Sequence, residues 1–226
     1  MTTEGVLASL RTAAGRSRHA ETGQWVAAQL RQAIADGRLA PGAKLAEEEL
    51  REALGVSRNT LREAFATLST ERVVTRIPNR GVFVSHPTPE DIREIYRVRR
   101  LLEPAAILWA PQHPIGQLTA IVRRAREAAE AGDVAAMAGA NQDFHRALVG
   151  AAGSERLDTL MEQVLAEMRL VFATMGADPR FHAPYVEENA RILALLEAGK
   201  AAEGAESMAH YLDRAEHQLL TALTPA

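Results

Sequence analysis

Residues 54–68 read Leu-Gly-Val-Ser-Arg-Asn-Thr-Leu-Arg-Glu-Ala-Phe-Ala-Thr-Leu, a pattern typical of a tight turn followed by an amphipathic helix. Gly55 suits the left-handed backbone that ends a preceding helix, and Ser57 is placed to cap the next one. Val56 before the cap and Leu61 after it have the spacing of a hydrophobic staple, which sets the angle at which the chain enters the helix. This pattern predicts a helix-turn-helix whose second helix begins with polar side chains.

The flanking segments complete a small domain around this turn. Helices are predicted over 24–36 and 47–54, because apolar residues recur there at helical spacing. Downstream, 73–76 and 81–85 are short β-prone runs around the turn Ile-Pro-Asn-Arg-Gly, which indicates a hairpin. Three helices and a hairpin make a winged helix-turn-helix, predicted to span 22–86.

The second part of the chain, 87–226, is predicted to be an all-helical bundle. Its first helix has a strong start signal, since Thr88 can cap, Pro89 fits the first helical position and Asp91 completes a capping box. Six helices are predicted, at about 89–110, 115–131, 133–151, 154–176, 183–198 and 200–223. The fold class is therefore mainly α, with an N-terminal winged helix-turn-helix and a C-terminal all-α helical bundle.

Composition excludes several kinds of protein. The chain has 226 residues with 47% hydrophobic and 24% charged content, which is ordinary for a globular protein. It has no cysteine, so disulfides and thiolate metal sites are excluded. No apolar run reaches membrane-spanning length, and residues 1–24 lack the apolar core of a signal peptide. We therefore expect a cytoplasmic protein with no membrane partner.

The charge distribution favours binding to double-stranded DNA. A helix that begins with basic and hydrogen-bonding side chains can place them against base edges and phosphates in a major groove. The net charge is −3, but residues 1–87 carry 12 Lys and Arg against 9 Asp and Glu, whereas residues 88–226 carry 14 against 20. The basic excess lies in the half with the helix-turn-helix, as phosphate binding requires.

Several motifs resemble those of one family of regulators. The N-terminal set resembles the GntR family of bacterial transcriptional regulators, and it comprises Leu39-x-Pro-Gly-x-x-Leu45, Gly55-Val-Ser-Arg58, Leu61-Arg-Glu-Ala64 and Arg80-Gly-Val-Phe-Val84. The second half resembles the FadR-type C-terminal ligand-binding domain, on Ile95-Tyr-x-Val-Arg-x-Leu-Leu-Glu-Pro104, Phe144-His-x-Ala-Leu148, Ala151-Ala-Gly153 and Ile192-Leu193. The six helices predicted for the second half match the number in the VanR-like branch, which the chain resembles in this respect. The resemblance implies a ligand-responsive repressor that binds a palindromic operator as a homodimer.

The resemblance also implies where DNA is contacted. By matching position, the contacts at the start of the recognition helix and at the wing tip are Ser57, Arg58, Asn59, Thr60, Arg62, Arg80 and Gly81. Relatives often have a basic residue in the preceding helix where this chain has Glu48, so we expect that contact to be absent. For residues 1–21 two interpretations stay open: a frayed terminus, or an arm that touches the DNA backbone.

For the helical domain the resemblance implies an effector site. Many such domains hold a divalent metal with one Asp and three His, and the matching positions here are Asn141, His145, Asn189 and Tyr211. Because Asn is a weak ligand and Tyr a poor one for zinc, we expect no tightly held metal. A shift of one residue would bring in His210, so His145 and His210 stay open as metal candidates.

An arginine completes this predicted site. The family's arginine that meets acidic effectors matches Arg99, and a guanidinium in an apolar pocket favours a small carboxylate or phosphate. The alternative for the whole group is a polar core in which each member is satisfied by its neighbours.

Two other functions fit the sequence less well. An enzyme is disfavoured, because the chain lacks a cysteine nucleophile, a Gly-x-Ser-x-Gly elbow, a His-Glu-x-x-His pair and a phosphate-binding glycine loop. An architectural DNA-binding protein without an effector is the second alternative, and the large helical domain argues against it.

Overall fold

The computed structural model of the chain describes residues 23–35, 38–175 and 179–223. The chain divides into two compact units. One extends to Pro87 and also includes Ala166–Thr174, and the other comprises Thr88–Leu165 and the chain from Met175 onward. The proposed N-terminal arm, 1–21, lies outside the described residues.

The first unit is a winged helix-turn-helix. Its elements in chain order are α1 (Gly23–Ala35), β1 (Lys44–Leu45), α2 (Glu47–Leu54), α3 (Arg58–Thr70), β2 (Val74–Ile77) and β3 (Gly81–Val84). The strands form an antiparallel sheet in the order β1-β3-β2, and Thr75 lies opposite Phe83. The predicted three helices and hairpin are therefore confirmed.

Local sequence signals act as expected at the turn. Gly55 ends α2 with φ 66°, and the Ser57 hydroxyl accepts a hydrogen bond from the Thr60 backbone N–H at 3.1 Å. Val56 and Leu61 are both buried, as a hydrophobic staple requires. These contacts fix the start of α3 relative to α2.

The sequence did not predict β1. Two residues are too few to show an alternating pattern, and β1 exists because Lys44 and Leu45 pair with Phe83 and Val82 of β3. The wing is consequently a three-stranded sheet rather than an isolated hairpin.

The apolar core of the first unit takes residues from a distant segment. Ala166 and Leu170 are 4% and 1% exposed within the cluster formed by the three helices and the wing. The sequence-based division assigns the whole of 87–226 to the helical bundle. The difference arises because an apolar helix face does not reveal which core will bury it.

The second unit is an all-helical bundle, formed by α4 (Pro89–Trp109), α5 (Ile115–Glu130), α6 (Val134–Gly150), α7 (Glu155–Met175), α8 (Pro179–Glu197) and α9 (Ala201–Leu223). The Ala166–Thr174 part of α7 belongs to the first unit, and the rest of that helix belongs to this one. Within the described part of the chain, the count of six helices after Thr88 is confirmed, whereas the branch assignment stays a prediction. The capping box is present, with Asp91 Oδ2 accepting from the Thr88 N–H at 2.8 Å.

The start of α8 differs from the sequence prediction. The helix begins at Pro179 rather than at about 183, so the predicted start was wrong. A proline within a helix removes the bond that its own N–H would make, and its ring crowds the carbonyl four residues earlier, at a combined cost of about 3 kcal/mol. Here Phe181, Tyr185 and Val186 are buried in the bundle, and this packing holds the helix through Pro184.

Packing within the bundle places four helices around one interior region. Helix α4 packs against α9 and α6, and α8 packs against α6 and α9.

Among the described residues, no helix combines the length and the apolar content needed to cross a membrane.

Candidate DNA interface and buried polar cluster

The start of α3 presents polar side chains to solvent. Arg58, Asn59 and Arg62 are exposed, whereas Leu61 on the opposite face is buried. Ser57 and Thr60 hydroxyls lie 2.9 Å apart and hydrogen-bond to each other. The helix can therefore offer long side chains to a groove while its apolar face anchors it to the core.

The wing tip carries the other predicted DNA contacts. Arg80 lies over the ring of Phe83, with its guanidinium carbon 5.8 Å from the ring centre. Gly81 has φ 112°, and a Cβ added there would lie 3.4 Å from Cε of Lys44. Glycine is needed because this backbone conformation is strained for other residues.

Glu48 adds a negative charge beside this surface. It is hydrogen-bonded to Arg51 three residues later, and this bond lowers the pKa of Glu48, with a further contribution from the charge of Arg58. The exposed carboxylate therefore stays ionised near the recognition helix.

In the second unit, buried polar groups form one continuous chain of hydrogen bonds. Arg99 Nε donates to Glu103 Oε1 at 2.6 Å, and Glu103 Oε2 lies 2.7 Å from His145 Nδ1. The other ring nitrogen of His145, Nε2, lies 3.0 Å from the Tyr211 hydroxyl. Arg99, Glu103, His145 and Tyr211 are each at most 2% exposed.

Two asparagines extend the chain. Asn141 Oδ1 accepts from the Tyr211 hydroxyl at 2.9 Å and from Asn189 Nδ2 at 2.8 Å. The structure thus brings together all five residues predicted for the effector site, from helices α4, α6, α8 and α9. We call this set the buried polar cluster, and its members are Arg99, Glu103, Asn141, His145, Asn189 and Tyr211.

Glu103 is the member that sequence reasoning missed. It lies four residues after Arg99, so both side chains are on the same face of α4. That spacing was a usable signal, because a buried arginine needs an acidic partner. The consequence is that Arg99 already has a counter-ion within the bundle.

Burial and the charges of neighbouring groups determine the protonation states of Glu103 and His145. Burial alone would raise the pKa of Glu103, but the charge of Arg99 and the hydrogen bond from His145 hold it at about 2. Burial lowers the pKa of His145 below its usual range, and the charge of Glu103 opposes this effect only in part. Near neutral pH, Glu103 is therefore ionised and His145 is neutral with its proton on Nδ1.

The Tyr211 hydroxyl connects His145 to the asparagines. It has a single proton, yet it faces both His145 Nε2 and Asn141 Oδ1. When the imidazole is neutral with its proton on Nδ1, the single hydroxyl proton can satisfy either Nε2 or Asn141 Oδ1, but not both. When the imidazole is protonated, Nε2 donates to the phenol oxygen and the hydroxyl donates to Asn141. The protonation of His145 therefore decides whether Nε2 and Asn141 Oδ1 compete for the Tyr211 proton or Asn141 alone accepts it.

Two buried atoms of the cluster have no hydrogen-bond partner in the described structure. These are Nη2 of Arg99 and Oδ1 of Asn189. A buried donor or acceptor without a partner is costly, so such atoms often mark the place of a ligand or a water molecule. The guanidinium also lies over the ring of Tyr96, at 4.9 Å from the ring centre.

The donor set does not fit a divalent metal. Both ring nitrogens of His145 are engaged, and the other matching positions offer neutral amides and a phenol whose pKa burial raises well above its usual value. Among the described residues, no group of three or more His, Asp or Glu is arranged to hold a metal ion. His210 is exposed while its neighbour Tyr211 is buried, so the register shift that would bring His210 inward was wrong.

A winged helix-turn-helix followed by a helical bundle is the architecture of a DNA-binding transcriptional regulator. Residues 22–84 match the gntR family of bacterial regulatory proteins, and residues 94–214 match the FCD domain. The chain therefore belongs to the GntR family of bacterial regulators and carries an FCD domain.

Individual relatives agree with this assignment. A crystal structure described as a GntR transcriptional regulator from Rhodococcus sp. RHA1 superposes with a TM-score of 0.84 and 40% identity, over 89% of this chain and 99% of that one. An HTH-type regulator from the TAR-I ttuE-ttuC' intergenic region of Agrobacterium vitis is 35% identical over 130 residues, which are 54% of this chain and 76% of that protein. The gluconate operon transcriptional repressor of Bacillus licheniformis is 38% identical over 84 residues, which are 37% of this chain and 34% of that repressor.

Proposed function

We propose that this GntR regulator is a homodimeric repressor that binds a palindromic operator and responds to a small carboxylate or phosphate metabolite held by the buried polar cluster. The observation that carries the proposal is the unpartnered Nη2 of Arg99, a buried cationic donor in a largely apolar bundle. A repressor role is supported by the similarity to the gluconate operon repressor. Such a protein acts where the bacterial chromosome lies, in the cytoplasm.

Arg99 is the group that would recognise the anion. Its Nε is bound to Glu103, but Nη2 remains available for a carboxylate or phosphate oxygen. An anion at Nη2 would share the charge of the guanidinium with Glu103, while the bond from Nε to Glu103 could stay in place. Asn189 Oδ1, the other unpartnered atom, can accept a hydrogen bond from a hydroxyl or amine on the ligand.

His145 would link binding to the rest of the cluster. An anion beside Arg99 favours the charged form of the imidazole, which burial disfavours in the free protein. Protonation would make Nε2 of His145 the donor to the Tyr211 hydroxyl and leave the hydroxyl proton to Asn141 alone. A ligand alters DNA binding only if it binds two conformations unequally, and this change of donor gives the bundle two distinguishable arrangements.

Helix α4 carries an exposed apolar stripe that suits a second copy of the chain. Leu101 and Trp109 are 80% and 81% exposed, and Leu108 is 46% exposed. Their spacing of seven and eight residues puts them on one helix face. We propose that the protein is a dimer, because one recognition helix reads too few base pairs to find a site in a genome. We propose this stripe as the dimer contact, because exposed apolar side chains on one face mark a surface that a partner covers.

The proposal is tested by operator binding with and without candidate anions. Wild-type protein is used to select duplexes from random-sequence DNA, and a panel of small carboxylates and sugar phosphates is then screened for release of the selected duplex. Arg99→Lys keeps the positive charge that Glu103 needs but loses the planar guanidinium, which can donate two hydrogen bonds to one anion. We therefore expect operator binding to persist and the response to the anion to weaken. Arg100→Lys is the matched control, since its neighbour Arg100 pairs with Asp213 and Glu216 outside the cluster.

Two results would count against the effector site. If Arg99→Lys responds to the anion as the wild type does, the cluster does not bind it. If no anion in the panel alters binding although the duplex is bound tightly, the chain behaves as a DNA-binding protein without an effector of this class.

A further inference from the structure

A groove of about 560 Å³ lies beside the recognition helix in the first unit. It is lined by α3 and β2, through Arg62, Phe65, Ala66, Ser69 and Arg76. The α3 residues recur every three or four positions and therefore lie on one face of the helix. Phe65 is 1% exposed and closes the floor, whereas Arg62 and Arg76 are exposed at the sides.

The two walls of the groove are tied together. The Ser69 hydroxyl donates to the carbonyl oxygen of Val74 at 3.4 Å, and the Val73 N–H donates to the carbonyl oxygen of Leu68 at 2.9 Å. These bonds hold the end of α3 against the start of β2. Arg62 and Arg76 therefore extend from backbone positions with a fixed separation.

Neither arginine of the groove is neutralised. Among the described residues, no acidic side chain lies within ion-pair distance of Arg62 or Arg76. Some other arginines of the same unit are paired, as Arg31 is with Glu71 and Arg51 is with Glu48. Two exposed and unpaired guanidinium groups facing one groove create a site for an anion from outside the chain.

We propose that this groove holds one strand of the DNA sugar–phosphate backbone, with Arg62 and Arg76 each contacting a phosphate. When α3 lies in the major groove and the wing tip reaches the neighbouring minor groove, the strand that separates the two grooves passes between α3 and the wing. Arg76 is thereby assigned a DNA contact that the sequence did not indicate, and Arg62 is assigned to the backbone rather than to a base edge. The inference rests on the DNA-binding role of the family.

A phosphate contact has a signature that does not require the operator to be known. Each phosphate neutralised by a basic side chain adds about 0.9 to the magnitude of the slope of log K against log salt concentration. The test measures binding of a fluorescent random-sequence duplex by anisotropy, at several salt concentrations. We expect Arg76→Ala and Arg62→Ala each to reduce the slope by about 0.9, and the double variant to reduce it by about twice that amount.

Two controls separate a local contact from a change in net charge. Arg76→Lys keeps the positive charge and should retain most of the slope. Arg123→Ala removes the same charge from α5, where Arg123 is exposed and belongs to the other unit, and should leave the slope unchanged. Both groove residues are exposed, so thermal melting should show that all variants fold like the wild type.

The outcomes distinguish two failures. If wild-type protein does not bind any duplex at low salt, the DNA-binding role itself is wrong. If the wild type binds but Arg76→Ala has the wild-type slope, or Arg123→Ala reduces the slope equally, the groove does not hold the backbone although DNA binding stands.

Discussion

Glu103→Gln should destabilise the helical bundle severely, although it changes only one charge. The glutamine would keep the shape of the side chain and could still accept from Arg99 Nε. His145 can adapt by moving its proton to Nε2, so hydrogen bonding is largely preserved. What is lost is the negative charge that neutralises Arg99, a guanidinium only 2% exposed.

The size of the effect follows from the burial of the pair. Glu103 is fully buried, and its two oxygens lie 2.6 and 2.7 Å from Arg99 Nε and His145 Nδ1. Removing one partner of a buried ion pair costs about 3–5 kcal/mol, because the other charge is left uncompensated. For a unit of this size, about 3 °C is lost per kcal/mol, so the melting temperature should fall by about 9–15 °C.

Differential scanning calorimetry of the full chain at pH 7 measures this change, and Glu94→Gln is the matched control. Glu94 is also on α4, but it is half exposed and pairs with Arg97 at the surface. Its replacement should change stability by about 0.5 kcal/mol or less. A melting temperature for Glu103→Gln within about 2 °C of the wild type would refute the reasoning that Arg99 needs this counter-ion.

The pH dependence of the same variant supplies an independent check. The pKa of Glu103 is held at about 2 in the folded protein, below the 4.5 of the unfolded chain. Its stabilising contribution is therefore complete above pH 4.5 and is lost as the pH falls toward 2. The difference in stability between wild type and Glu103→Gln should shrink over that interval, and a difference that stays constant would contradict the assigned ionisation.

Three further predictions concern the DNA-binding unit. Glu48→Lys should strengthen binding to any duplex and steepen its salt dependence, because a carboxylate beside Arg58 is replaced by a cation. Anisotropy titrations at two salt concentrations would show this change, and weaker binding would contradict it. Arg58→Ala should weaken binding to the selected operator by about 1–3 kcal/mol while changing affinity for random duplex much less, and equal losses on both would show that Arg58 does not read a base. Gly81→Ala should cost about 1–3 kcal/mol in urea unfolding because φ is 112° there, and an unchanged midpoint would mean that the wing relaxes without strain.

Local signals in the sequence determined where most elements begin and end. Ser57 caps α3 by bonding to Thr60, and Thr88 with Asp91 forms a capping box at α4, each across three residues. Such bonds form within one turn of chain, so the residues that make them are visible side by side. The winged helix, the six helices of the bundle and the exposed start of the recognition helix follow from this kind of information.

The tertiary structure alone decided which residues meet. Glu103 and His145 are 42 residues apart in the chain, and His145 and Tyr211 are 66 apart. Resemblance to a family indicated that several of these positions converge, but not that Glu103 neutralises Arg99. In the same way Arg76 faces a groove beside Arg62 only because β2 folds back against α3. Contacts of this range depend on packing of whole elements, which periodicity and capping patterns do not encode.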